Sequence, residues 1–431
     1  MAGKPFRIAL AGLGTVGVGV VKALHQNAGL IAARAGRPIE IAAVSARNKK
    51  KKRGVDLSGC EWVTDAKALA EIPGIDAVVE LIGGAAGPAH DLVKASLKNG
   101  IPVVTANKAL LAHHGYELAK LAEDKGASLK YEAAVAGGIP VIKSLREGFA
   151  ANYIKAVYGI LNGTCNYILT EMRETGRDFA DVLNDAQAKG YAEADPSFDI
   201  DGVDAAHKLC VLSALAFGVR PDFKSLKISG IRHITAKDIF YAQELGFRIK
   251  LLGTARRTDK GIVQSVEPCL VPIGSPMGAV EGVYNAVFVE GDFVGTGLSV
   301  GRGAGEGPTA SAVVADLIDL ARGFHVPAFG IPASSLKKGG WTDTGCIVSH
   351  FYLHVVVLDR PGVLADIAAI MRDHEVSIEA VLQRGRDPDK PVSVVITSHP
   401  APQGRVEKAV AQIGKLRSMA GRPCLMRIEN F

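Results

Sequence analysis

FRIALAGLGTVGVGVVKAL, residues 6–24, decides the architecture of this chain. Phe6 to Gly12 is a short apolar run rich in strand formers, and the residues behind it space their apolar side chains as a helix does. At the junction, Gly12-Leu13-Gly14-Thr15-Val16-Gly17 matches G-x-G-x-x-G. Among 49 glycines the pattern alone is weak. Directly after a strand and opening a helix it has the context it requires, because glycines let a pyrophosphate approach the backbone amides at a helix N-terminus. A dinucleotide site is expected on these six residues, with a plain glycine-rich turn as the alternative.

Outward from this unit, IEIAAVS (39–45), IDAVVELIGG (75–84), IPVVTANK (101–108) and LKYEAAVAGG (129–138) read as further strands, separated by helix-like segments such as HDLVKASLKNG (90–100). That alternation predicts a parallel, doubly wound α/β sheet of Rossmann type. The end of the second strand selects the cofactor. An NAD site usually offers Asp or Glu there to the ribose 2′-hydroxyl; this chain offers Ser45-Ala46-Arg47-Asn48, then four lysines and Arg53. Arg47 is suited to clamp a 2′-phosphate with paired N–H donors, so NADP(H) is expected in preference to NAD(H). A solvated basic loop is the alternative for the lysine run. Nucleic-acid binding is disfavoured, since no aromatic residues are interleaved for base stacking.

Bulk properties agree. At 431 residues and 48% hydrophobic content the chain should build two or three domains. Fifty basic residues against 44 acidic leave a net charge of +6, too little for a protein held to nucleic acid along its surface. Six cysteines are scattered without zinc-ligand spacing and read as reduced thiols. No leader pattern precedes the first strand, and no membrane-length apolar run occurs. A cytoplasmic protein without membrane or nucleic-acid partners is expected.

The middle of the chain carries the chemistry. GYAEADPSFDIDGVDAAHK (190–208) sets Glu193, Asp195, Asp199, Asp201 and Asp204 around one base, Lys208, where an apolar helix from about Val203 to Phe217 begins. Asp204 and Lys208, at i and i+4, share a helix face. In so apolar a helix the pair should be partly buried, which suits Lys208 as a proton donor positioned by Asp204, with Glu193 able to bind a substrate ammonium. A buried ion pair that merely locks the helix is the alternative. Asp195 and Asp201 read as loop and helix caps, and His207 as a structural neighbour facing elsewhere.

GLGTVG, TANKALLA (105–112), YEAAVAGGIP (131–140), GILNGTCNYIL (159–169), the acidic stretch and GRGAGEGPTASAVVADL (301–317), in this order, resemble homoserine dehydrogenase across roughly residues 5–335. The resemblance implies NAD(P)H-dependent interconversion of L-aspartate 4-semialdehyde and L-homoserine, on the route to threonine and methionine. It implies Lys208 as proton donor with Asp204 as its partner, Gly190 and Glu193 at the amino-acid end of the substrate, and Asp199 in the same acidic loop. Lys108 matches a lysine near both cofactor and substrate; from chemistry alone it could instead pair with the substrate carboxylate. Sodium would be bound through the backbone at Glu132, Val135, Gly137 and Ile139, against a plain turn as the alternative. Gly305 would return the chain to the nucleotide domain. An α+β substrate domain would build the interface of a homodimer or homotetramer.

Behind a Gly/Ser/Lys-rich spacer (334–345), HFYLHVVVLDRPGVLADIAAIMRDHEVSIEAVLQ (350–383), PVSVVITS (391–398) and PCLMRIEN (423–430) give a β-α-β-β-α-β order. Asp359-Arg360-Pro361-Gly362-Val363-Leu364 before the first helix resembles an ACT domain of ferredoxin-like fold, implying an amino-acid effector, threonine; a dimerisation appendage is the alternative. The expected domains are 1–145 (NADP-binding, completed by about 305–335), 146–304 (substrate and dimerisation) and 349–431 (ACT). Two other functions fit less of the pattern: a dehydrogenase for a different amino semialdehyde, and a non-catalytic amino-acid sensor.

Overall fold

A computed structural model describes residues 3–384 and 390–431. They form two compact units, one of residues up to 161 with 206–224 and 285–339, the other of 162–205, 225–284 and 340–431.

The first unit is built on six parallel strands: β1 (Phe6–Ala11), β2 (Ile39–Ser45), β3 (Glu61–Trp62), β4 (Ala77–Glu80), β5 (Val103–Thr105) and β6 (Leu129–Lys130). Their order is β3-β2-β1-β4-β5-β6, so the direction of winding reverses between β1 and β4. Every residue of β4 and β5 is buried, as expected for strands covered on both faces. Helix α1 (Thr15–Gln26) packs on the sheet beside helix Glu306–Ala321, joining Val20, Val21 and Leu24 to Ala310, Val313 and Leu317 in one core. Gly19 permits this closeness, since a Cβ there would stand 2.7 Å from the Glu306 backbone oxygen. An antiparallel pair, Ile154–Ile160 with Tyr284–Gly291, runs in register Ala286 to Ile160, and Thr296–Arg302 lies beside the second of these strands.

The expected strand at 129–138 is shorter than its sequence suggests. It stops at Lys130 and passes into a single 3-10 turn, Glu132–Ala134. Two features break it: Ala136 and Gly137 both take left-handed backbone (φ 54° and 49°), and the buried Glu132 carboxylate accepts from the N–H of Ile142 and Lys143.

In the second unit, Phe247–Thr258 and Gly261–Pro272 form a long antiparallel hairpin. The C-terminal segment has the expected alternation, with strands Val348–Leu358, Ile378–Gln383, Pro391–Ser398 and Cys424–Ile428, and helices Val363–Asp373 and Gln403–Ile413. Alternate residues of the first strand (Phe351, Leu353, Val355, Val357) point into a core of this segment's own. Its last strand also pairs in parallel with the hairpin, Cys269 to Arg427, so the hairpin and the C-terminal strands run on as one sheet. The spacer is laid down by pairing: Trp341 bridges to Ile262, and the Gly340 carbonyl accepts from Ile262 N–H at 2.8 Å.

Candidate functional site

The cofactor end lies where winding reverses. Gly12 leaves β1 at φ 99°, its N–H donating to the Ser45 carbonyl at 2.8 Å, and a Cβ there would stand 2.4 Å from the Leu81 carbonyl oxygen. At Gly17 a Cβ would be 2.0 Å from the Gly12 oxygen, so the third glycine lets helix and loop touch. At Gly14 a Cβ would meet nothing within 4 Å. The middle glycine therefore borders open space rather than a packed neighbour. Gly14 and Thr15 are exposed, Val16 half-buried and Leu13 buried. Helix α1 has neither a side-chain cap nor an acidic residue in its first turn, which leaves its N-terminal amides and positive dipole end for an anion. This cradle fits a dinucleotide pyrophosphate.

The basic loop divides its work. Arg53, not singled out from the sequence, donates to the carbonyls of Leu13 (3.2 Å), Asn48 (2.6 Å) and Lys51 (2.8 Å), and lies over the Trp62 ring with Lys49 nearby. It braces the glycine loop. Arg47 is exposed at the end of β2. At the carboxyl ends of β4 and β5, the fully buried Glu80 accepts from Ile82 and Gly83 N–H and from the Thr105 hydroxyl. Asn107 caps helix Lys108–Asp124 and ties it to the Gly84 carbonyl (2.7 Å), which fixes Lys108 at the first helical position. Gly305, at φ 115°, caps helix Glu306–Ala321, and Glu306 pairs with Lys22 of α1 at 2.7 Å.

The turn expected to hold a cation contains Glu132, Val135, Gly137 and Ile139, all buried. Burial, followed by the nearby Asp316 carboxylate, pushes the Glu132 carboxyl up to about 7. The Ile139 carbonyl already accepts from Val141 N–H at 2.8 Å, leaving one lone pair. Among the described residues no three His, Cys, Asp or Glu side chains gather to hold a metal, so a cation in this turn would depend on backbone oxygens.

The acidic cluster around Lys208 is organised by a residue the sequence reading passed over. Asn162, 4% exposed, follows strand Ile154–Ile160 and caps helix Gly163–Thr175 by accepting from Cys165 N–H at 2.8 Å. Its amide nitrogen donates to Asp199 at 2.7 Å and to Asp204 at 2.9 Å. Lys208, one turn along helix Val203–Phe217 from Asp204, is buried and donates to the Leu161 carbonyl at 2.7 Å. Glu193 is exposed, its carbonyl held by the Gln187 amide at 2.9 Å, beyond Gly190 at φ 74°.

The other acids behave differently. Asp195 accepts from Ser197 N–H at 3.1 Å and so closes the loop ahead of the short helix Ser197–Ile200, whose N-cap position is Pro196 without a side-chain cap. Asp201 does not cap with its side chain; it forms an ion pair with Arg232. His207 stacks on Phe223 and meets His113 (Nε2 to Nε2, 3.3 Å), a packed structural residue.

Models of the homoserine dehydrogenase family match residues 140–318, of its NAD-binding domain residues 12–132, and of the ACT domain residues 351–418. A homoserine dehydrogenase from Pseudomonas aeruginosa is 45% identical over 435 residues, covering 99% of this chain and 100% of that protein. The chain belongs to the homoserine dehydrogenase family. It is thus an oxidoreductase acting on a CH–OH group with NAD(P). The crystal structure of a homoserine dehydrogenase from Thiobacillus denitrificans matches with a TM-score of 0.93 at 45% identity, over 99% of both chains. A hyperthermophilic archaeal homoserine dehydrogenase, solved in complex with NADPH, matches 74% of this chain and 99% of its own with a TM-score of 0.64 at 26% identity. The Rossmann-type sheet, the second sheet and the C-terminal ACT domain expected from sequence are all present. Among the described residues no helix is long and apolar enough to cross a membrane.

Proposed function

We propose that the chain reduces L-aspartate 4-semialdehyde to L-homoserine with NADPH in preference to NADH, as a step toward threonine and methionine. The observation that carries this reading is the buried Asp204/Lys208 pair, one helical turn apart, with Lys208 Nζ aimed at the Leu161 carbonyl. When bound, the reduced nicotinamide supplies a hydride to the aldehyde carbon. Lys208 gives a proton to the aldehyde oxygen and recovers one from solvent, and Asp204 holds the ammonium in place. Glu193, Asp199 and Gly190 bind the amino-acid end of the substrate, and Lys108 stands between cofactor and substrate. Gly12, Leu13, Gly14, Thr15, Val16, Gly17 and Gly305 hold the nucleotide.

The preference for NADPH rests on Arg47, exposed beside β2 where an NAD site would carry a carboxylate. Sodium bound by the carbonyls of Glu132, Val135, Gly137 and Ile139 would stiffen the turn between β6 and the substrate domain. Supporting it is Ala136 at φ 54°, a conformation that costs a non-glycine residue ~1–2 kcal/mol and therefore marks a constrained site. Threonine is the effector of the ACT domain, where a cavity of about 330 Å³ is lined by Asp359, Arg360, Pro361, Gly362, Val363 and Gln383. The domain limits are 1–145 with 305–335, 146–304 and 349–431, in a cytoplasmic homodimer or homotetramer.

Loss of NADPH absorbance with aspartate semialdehyde, repeated with NADH and with added threonine, tests the reading. Rapid oxidation of NADPH and suppression by threonine are expected. Oxidation of neither cofactor would refute the substrate, and faster turnover with NADH would refute the role of Arg47.

A further inference from the structure

Asn162 makes three hydrogen bonds with one side chain, and only one of them is the helix cap. Its oxygen accepts from Cys165 N–H at 2.8 Å, the ordinary work of an N-cap, which Asp or Ser does equally well. The amide nitrogen has two N–H groups, and each goes to a different carboxylate, Asp199 at 2.7 Å and Asp204 at 2.9 Å. No other N-cap residue can do this while capping, because Ser, Thr and Asp lack an NH2 group. The geometry also fixes which way the amide points: reversing it would set its oxygen against two carboxylates and its nitrogen against an N–H.

Two carboxylates that share one nitrogen repel each other, and the donor between them offsets that repulsion. The residue before Asn162 supplies the carbonyl that accepts from Lys208. The dipeptide Leu161-Asn162, at the end of strand Ile154–Ile160, thus touches both members of the Asp204/Lys208 pair.

We infer that Asn162 is a positioning residue for the reduction: its two N–H groups fix Asp199 for the substrate and Asp204 for Lys208. This rests on the roles given above to Asp199, Asp204 and Lys208.

The test compares Asn162→Ser and Asn162→Asp with Asp204→Asn in the full-length enzyme. Both Asn162 variants keep a capping oxygen and lose both N–H donors; Asn162→Ser, which adds no charge, should stay folded with its thermal midpoint lowered by only several degrees, and the Kd for NADPH should not change. We expect kcat/KM for the semialdehyde to fall roughly 100-fold, the scale of a displacement near 1 Å at a reacting centre, with kcat reduced as well as KM raised. In an Asp204→Asn background, Asn162→Ser should cost clearly less than the roughly 100-fold it costs alone, because only the bond to Asp199 is then left to lose. Should Asn162→Asp fail to fold because of its added charge, the uncharged Ser variant and its double mutant decide. Near-wild-type kcat/KM in Asn162→Ser, or losses that multiply in the double mutant, overturns the inference while leaving the site reading intact. Wild-type turnover by Asp204→Asn instead removes the site reading, and the inference with it.

Discussion

Alanine at two glycines of one loop should produce opposite defects. At Gly17 the new Cβ would sit 2.0 Å from the Gly12 oxygen, whereas an ordinary C···O contact needs about 3.3 Å, so helix and loop must part by roughly 1.3 Å. Overpacking of this kind costs ~1–3 kcal/mol, and at ~2–4 °C per kcal/mol the melting temperature should drop by roughly 2–12 °C. At Gly14 the backbone (φ −80°) suits alanine and the Cβ meets nothing within 4 Å. Stability should hold or rise by up to ~1 kcal/mol through a less flexible unfolded chain. The same methyl would fill the cradle beside the α1 amides. Losing one charge-assisted hydrogen bond to phosphate, worth ~1.5–3 kcal/mol, raises the Kd for NADPH roughly 10- to 150-fold. Thermal unfolding without cofactor and fluorescence titration with NADPH, on both variants, separate the two effects. A Gly14→Ala enzyme that binds NADPH as tightly as wild type, or a Gly17→Ala enzyme with unchanged melting, refutes the assignment of jobs within the loop.

Arg47→Ala should raise the KM for NADPH roughly 10-fold or more by removing a charge-assisted contact, with the KM for NADH nearly unchanged; equal losses on both would show that Arg47 does not read the 2′-phosphate. Lys208→Ala should lower kcat by ~10²–10⁴ while NADPH still binds, and steady-state turnover near normal would remove Lys208 from the proton step. Burial lowers the Lys250 ammonium from 10.5 to about 8, so between those values the folded chain binds fewer protons than the unfolded and stability rises with pH. The gap of about 2.5 pH units corresponds to roughly 3 kcal/mol, so wild type should gain about that much on Lys250→Met from pH 7 to 10.5, and parallel denaturation curves for the two would reject it.

Segments with a strong period were legible in the sequence. The apolar runs at 6–11 and 39–45, and the helix at 203–217, lie where their patterns put them, because elements covered over most of their surface keep a largely apolar signature. The segment at 129–138 misled: its apolar residues are buried, but by a turn built on Ala136 and Gly137, and periodicity does not encode left-handed backbone at an alanine. Among the five acids, sequence marked out a cluster without sorting it. Asp201 goes to Arg232, thirty-one positions away, and no local pattern announces such a partner. Arg53 reads as one more charge in a basic run, yet its contact with the Leu13 carbonyl, forty residues back, makes it part of the nucleotide loop.

The least legible residues share one device. Asn107 and Asn162 both follow a strand and open a helix, and in each the side-chain oxygen caps the helix, on Leu110 and Cys165 N–H respectively. From sequence either position reads as a cap, interchangeable with Ser, Thr or Asp. The difference lies in the nitrogen on the other side of the amide. Asn107 directs it to the Gly84 carbonyl, binding together the loops after β4 and β5. Asn162 directs it to two carboxylates. Strand ends and helix starts are where backbone groups lack regular partners, so ligands and caps compete for the same few residues. A cap that also donates satisfies the helix and orients its surroundings at once. Serine at Asn107 should therefore preserve the helix but loosen the loop at Gly84, whereas at Asn162 it should preserve the helix but release Asp199 and Asp204; one substitution, equally conservative in sequence, disturbs backbone in the first case and chemistry in the second.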